Sequence, residues 1–135
     1  MENSYYRISK NESIIYKSKN SKFLAFSFFV ESEEEIKTLL SQLKAQHPSA
    51  NHHCYAWCLG LKNYTFRAND DGEPSNTAGK PILAQIQQHH LTNCLVVVVR
   101  YFGGTLLGVS GLINAYKNAA SQVLFKFGLY RIIYY

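Results

Sequence analysis

"CLVVVVRYFGGTLLGVSG", residues 94–111, decides how the rest of the chain is read. Cys94 to Phe102 is apolar on both faces, which predicts a strand inside a sheet rather than at its edge. Four glycines follow between 103 and 111. They fit neither the G-x-G-x-x-G dinucleotide fingerprint nor the G-x-x-x-x-G-K-[ST] phosphate loop, since Gly103, Gly104, Gly108 and Gly111 miss both spacings. Amides at the start of the following helix could still receive a phosphate oxygen. The favoured reading is a structural bend, in which Gly103 and Gly104 supply positive φ or room for close backbone approach.

Downstream, Leu112, Tyr116, Ala119, Ala120, Val123, Leu124 and Phe127 recur at steps of three and four, predicting a helix over 110–127 that Gly128 closes. The tail "LYRIIYY" has strand composition. Upstream, "SIIYK" (13–17) and "KFLAFSFFV" (22–30) read as a hairpin across a Ser/Asn turn. In "SEEEIKTLLSQLKAQHP", Ser32 and Glu35 form a capping box, Ile36, Leu39, Leu40 and Leu43 fall at helical spacing, and Pro48 stops the helix. "HHCYAWCLGL" and "YTFRA" read as a second hairpin, turning at Lys62 and Asn63. Its alternation puts Tyr55 and Trp57 on one face and Cys54 and Cys58 on the other. "KPILAQIQQHHL" reads as a short helix with Pro81 in its first turn. The order of elements is strand, strand, helix, strand, strand, helix, strand, helix.

The chain has 135 residues, 47% hydrophobic and 17% charged, enough for one core and too few for two. One domain over 1–135 is expected. No run of about 18 apolar residues and no signal peptide is present, so the expectation is a cytoplasmic protein without membrane contact. Three cysteines, Cys54, Cys58 and Cys94, read as reduced thiols buried as small hydrophobes. The net charge is +5, and seven of the nine acids sit in two patches, 31–35 and 70–73. The remaining surface is basic and suits a polyanion such as RNA.

Cys54, Cys58, His52 and His53 invite a zinc reading. Four residues along a strand separate the cysteines by about 13 Å, and adjacent histidines point to opposite faces. No metal is therefore expected. "NDDGEPSNTAGKP" is a polar loop before a helix, either a turn with acids near a helix dipole or a surface loop offering Asp70, Asp71 and Glu73 to an ion or a basic partner. No motif places a nucleophile beside a base, so no catalytic residue and no cofactor is assigned. Arg100 ends a buried strand and cannot be left unpaired, which predicts an ion pair with Asp70, Asp71 or Glu73, with Gly103 and Gly104 turning the chain beside that loop.

Three stretches, "HHCYAWCLG" (52–60), "DDGEPSNTAGKPIL" (70–83) and "LVVVVRYFGGTLLGVSGLINAY" (95–116), together resemble the YigZ/IMPACT family over about residues 17–125. The resemblance implies an α/β (α+β) two-layer sandwich like the second domain of ribosomal protein S5, a mixed sheet with about three helices. It implies a noncatalytic regulatory role near translation, with RNA, the ribosome or a translation-control protein as partner. Its matching positions include His53, Tyr55, Asp70, Asp71, Glu73, Thr77, Arg100, Tyr101, Gly103 and Gly104, to which Trp57 is added as an aromatic suited to stacking beside Tyr55. The alternative is a metal- or phosphate-dependent enzyme using the DDGEP loop and the glycine-rich turn. Asn76 stands where the family usually shows glycine, and Asn114 where it shows a basic residue. The ferredoxin-like second domain of bacterial relatives is expected to be absent.

Overall fold

A computed structural model describes residues 4–126 and 128–133. Its order is β1 (Ser4–Ile8), β2 (Glu12–Ser18), β3 (Ser21–Phe29), α1 (Glu33–Gln46), β4 (His52–Leu59), β5 (Thr65–Asn69), α2 (Gly79–Gln88), β6 (Cys94–Tyr101), α3 (Gly108–Leu124) and β7 (Leu129–Ile133). Strands β2 to β6 form one sheet in the order β2-β3-β6-β4-β5, and β1 pairs with β7 in a separate ribbon. β6 is central, as its two apolar faces require. The sheet was expected to be mixed, but each ladder among its five strands is antiparallel. α1 links β3 to β4 across the central β6, and no two neighbouring strands run in the same direction.

Local chemistry sets the elements as read. Lys19 and Asn20 take positive φ (44° and 68°), the two-residue turn that matches the twist of a hairpin. Ser32 Oγ accepts from the Glu35 amide at 3.2 Å, and the Glu35 carboxylate accepts from the Glu31 amide at 3.1 Å. The α3 helix starts two residues earlier than its periodicity suggests and ends at Leu124. Phe127 lies outside the described residues. β1 escaped the sequence reading because its partner is β7, far along the chain, with Tyr5 and Tyr6 opposite Ile132 and Arg131.

Two cores lie on the two sheet faces. Phe23, Ala25, Cys54, Ala56, Cys58, Val96 and Val98 face α2 and α3, against Ile82, Ile86, Leu112, Tyr116, Ala119 and Val123. The small residues Ala25, Cys54, Ala56 and Cys58 give the two helices their close approach. Trp57, Leu59, Leu95, Val97 and Val99 face α1, against Ile36 and Leu43. Tyr55 and Trp57 thus share the face opposite Cys54 and Cys58, as alternation predicts. Among the described residues no helix is long and apolar enough to cross a membrane.

Candidate functional site

Alternation along β6 turns Arg100, like Val96 and Val98, toward α3. The residue is 5% exposed, so its charge needs a partner inside the protein. Glu73 supplies it: Arg100 Nη1 donates to Oε2 at 2.8 Å and Oε1 at 3.1 Å. Nη2 donates to Ser21 Oγ at 3.2 Å. The same carboxylate accepts from the Tyr116 hydroxyl at 2.5 Å, and His52 Nε2 lies 3.4 Å away. Cys54 Sγ sits between the Asp70 carbonyl (3.1 Å) and Tyr116 Oη (3.4 Å). Burial pushes the Cys54 thiol and the Tyr116 phenol far above their ordinary ranges, so both stay protonated. Cys54 is therefore a poor nucleophile.

The two aspartates of the DDGEP loop are also committed. Asp70 Oδ1 accepts from the amides of Ala78 (3.1 Å) and Gly79 (2.8 Å), and Oδ2 from that of Asn76 (2.9 Å). It serves as the cap of α2, whose N-cap residue Ala78 has no side chain to do so. Asp71 Oδ2 accepts from the His53 amide at 2.6 Å, and the Asp71 carbonyl contacts His52 Nδ1 at 2.8 Å. Thr77 donates through both its amide and its hydroxyl to the Pro74 carbonyl. Gly79 must be glycine, because a Cβ there would fall 2.5 Å from the Asn69 amide nitrogen. Among the described residues no three histidine, cysteine or carboxylate side chains group as metal ligands would. The metal-using enzyme alternative thus gains no support from this loop.

Over this polar floor opens a cleft of about 420 Å³. Asn51, His52, Pro74 and Arg100 line one side, and Phe102, Leu106, Gly108 and Val109 the other. Phe102, Leu106 and Val109 are 46%, 81% and 60% exposed, an unusual concentration of uncovered apolar side chains. The glycines of the opening stretch build this rim. A Cβ on Gly103 would lie 2.1 Å from backbone atoms of Asn20, so the segment that abuts Gly103 is the β2–β3 turn, where the DDGEP loop was expected. Gly104 and Gly108 take positive φ of 86° and 76°. The stretch is a bend, and Arg100, which it follows, is spent on Glu73.

The fold recurs in known proteins. The model of the Impact N-terminal domain matches residues 19–124. The chain belongs to the Impact N-terminal domain family. It is 39% identical over 113 residues to the IMPACT family member YigZ of Escherichia coli, covering 82% of this chain and 55% of that one. A solved structure described as that of a hypothetical protein superposes with a TM-score of 0.87 at 36% identity, over 98% of this chain and 65% of the other. The two-domain translational regulator Yih1 gives 0.52 at 27% identity, over 87% and 46%. The chain spans about half the length of the curated Impact relatives it matches.

The positions carried over from the Impact family divide between the sheet faces. On the α2/α3 side, Arg100 lines the cleft and Glu73 pairs with it from below, Asp70 and Thr77 brace the loop that carries Glu73, and Gly103 and Gly104 turn the chain after Arg100. His53 and Tyr101 belong to the α1 side, where His47 joins them: its carbonyl meets His53 Nε2 at 2.9 Å and its Nδ1 meets Tyr101 Oη at 2.7 Å. Trp57 is only 5% exposed and Tyr55 is half-buried in the α1 core, so Trp57 presents no ring for stacking. Asn76, at the position the family gives to glycine, has φ 65°, a left-handed backbone that asparagine tolerates. Asn114 is exposed on α3. Sequence reasoning missed His52, Ser21 and Tyr116. His52 was legible through its spacing of two from Cys54, which puts it on the Arg100 face. Tyr116 was read as core alone, and only its hydroxyl at the end of the apolar stripe hinted at the carboxylate it meets.

Proposed function

We propose that this chain is a noncatalytic regulatory domain of translation that acts in the cytoplasm and binds a translation-control protein through the cleft beside Arg100. The observation that carries the reading is the division of labour in the cleft: Arg100 and Glu73 are paired with each other, and the surface it offers outward is the apolar rim of Phe102, Leu106 and Val109. Such a rim suits a partner with apolar anchors. The likeness to Yih1, described as a translational regulator, supports the biological setting.

A second reading, direct binding to RNA or the ribosome, rests on the net charge of +5. One experiment separates the two. The protein is immobilised and exposed to nuclease-treated lysate, beside a Leu106→Asp variant whose exposed site leaves the core intact. The expected result is a discrete protein complex that survives nuclease and is lost with Leu106→Asp. Retention that disappears with nuclease, together with salt-dependent filter binding of RNA, returns the second reading. No retained protein and no RNA binding at low salt sinks both.

A further inference from the structure

The α1 face of the sheet is only half covered. Five strands about 4.8 Å apart span roughly 19 Å, whereas one helix is about 10 Å across, so a single helix closes about half of such a face. α1 lies over the β4 and β6 side, with Ile36 and Leu40 near Tyr55 and Trp57, and ends at His47 beside Phe26 and Tyr101. What remains is β5, whose exposed residues on this face, Thr65, Arg67 and Asn69, are polar, and at the other edge the β2–β3 hairpin, which carries the apolar groups. There Ile15 is 62% exposed and Leu24, Phe26 and Phe28 are half-buried. Grooves of about 320 and 520 Å³ meet at Ile15 and Leu24.

The charge on this half-face is one-sided. Lys17 and Lys22 lie directly opposite each other in the hairpin, and Lys19 follows in the turn. All three are exposed, and none makes an ion pair among the described residues. Like charges directly across a ladder are unfavourable, and among the described residues no carboxylate is within ion-pair distance of these three lysines. At the far end of β2, Glu12 is taken by Lys126 at 3.0 Å.

We infer that the open half-face is a docking site for an amphipathic helix of a partner protein, with an apolar stripe over Ile15, Leu24 and Phe26 and acidic residues meeting Lys17, Lys19 and Lys22. A helix there would lie beside α1 and complete the layer as α2 and α3 complete the other. Ile15, the most exposed group, is aliphatic and offers no π face to a base, while Phe26 and Phe28 are half-buried and stacked on each other at 6.4 Å. These features favour a helix stripe over a nucleic acid strand. The site lies across the sheet from Arg100 and Glu73 and meets the cleft only at Phe102, which lines both; it does not use Leu106, so a Leu106 variant separates the two surfaces.

The test is selection of a phage-displayed library of randomised amphipathic helices on the full chain. The expected winners carry apolar residues at three- and four-residue spacing flanked by Asp and Glu. A synthesised winner should lose about tenfold in affinity, the equivalent of about 1.4 kcal/mol, against Ile15→Glu and again against Lys22→Glu, and bind Leu106→Asp unchanged. Thermal unfolding confirms that the variants, both at exposed positions, remain folded. No enrichment, winners with basic flanks, or binding indifferent to both variants overturns the inference. So does oligouridylate binding that Ile15→Glu abolishes, which gives the face to nucleic acid, or a concentration-dependent dimer that Ile15→Glu dissolves, which gives it to a second copy. Loss at Leu106→Asp in the lysate experiment with intact helix binding here would leave both readings standing on separate surfaces.

Discussion

The two faces of the five-stranded sheet are made from the same strands, yet they are closed differently. On one, small residues of β3 and β4 admit α2 and α3, and the end of that layer holds a buried ion pair instead of more hydrocarbon. On the other, large residues such as Trp57 meet one helix, and the hairpin half is left half-open. A face covered by two helices can enclose charge, because the Arg100 guanidinium finds the Glu73 carboxylate and Ser21 away from water, although its Nε and the Ser27 hydroxyl stay unpartnered. A face covered by one helix must leave apolar groups at the boundary. The first face is accordingly where single substitutions cost stability, and the edge of the second is where they cost little.

The largest effect is expected from breaking the enclosed pair. Arg100→Ala leaves Glu73 buried with Tyr116 and His52 only, and should cost about 3 to 5 kcal/mol in urea unfolding. Arg100→Met combined with Glu73→Leu should cost less than Arg100→Ala, since no charge is then stranded. A double variant weaker than Arg100→Ala would show that the network stabilises the face by more than mutual neutralisation.

Trp57→Ala tests the other core. With the ring covered by α1, the change should destabilise by about 3 to 5 kcal/mol and leave RNA binding per folded molecule unchanged. Weakened RNA binding in a protein of undiminished stability would contradict the placement of this ring.

A smaller effect separates the faces by pH. Burial pushes the Cys58 thiol from an ordinary 9.0 up to about 11, and Cys54 and Cys94 shift in the same direction. The unfolded chain therefore releases these protons first as pH rises. Their contribution is fully present below about pH 9 and is lost as pH climbs through about 11. The urea midpoint should fall between pH 8.5 and 10.5, values chosen as roughly bracketing that window, and Cys58→Ala should flatten part of the fall. An unchanged slope in Cys58→Ala would show that this thiol ionises alike in both states.

The smallest effect belongs to the open half-face. Ile15→Ser should change stability by no more than about 0.5 kcal/mol, because a side chain already in water has little burial to lose. A loss several times larger would mean that the hairpin half is closed in solution.

Much of this was legible in the chain. The apolar run 95–99 announced a central strand, the Ser32–Glu35 box started α1, and alternation in "HHCYAWCL" assigned Cys54 and Trp57 to opposite faces, all through rules that act within a few residues. The need of Arg100 for an acid was also legible, since a guanidinium beside a valine run cannot be buried alone. The choice of Glu73 was not. Asp70, Asp71 and Glu73 are chemically alike, and what divides them into a helix cap, a strand-end acceptor and a buried ion-pair partner is where α2 and α3 come to rest.

The sequence by itself determined the elements from β2 to α3, the central place of β6, the alternation of faces and the demand for charge pairing, because periodicity, capping and desolvation are local. Tertiary structure alone decided that β1 pairs with β7, that Gly103 abuts Asn20, that His52 and Tyr116 converge on Glu73 and that α1 covers only half its face. Each of these joins residues distant along the chain, and their meeting depends on how whole elements pack, which no local pattern encodes.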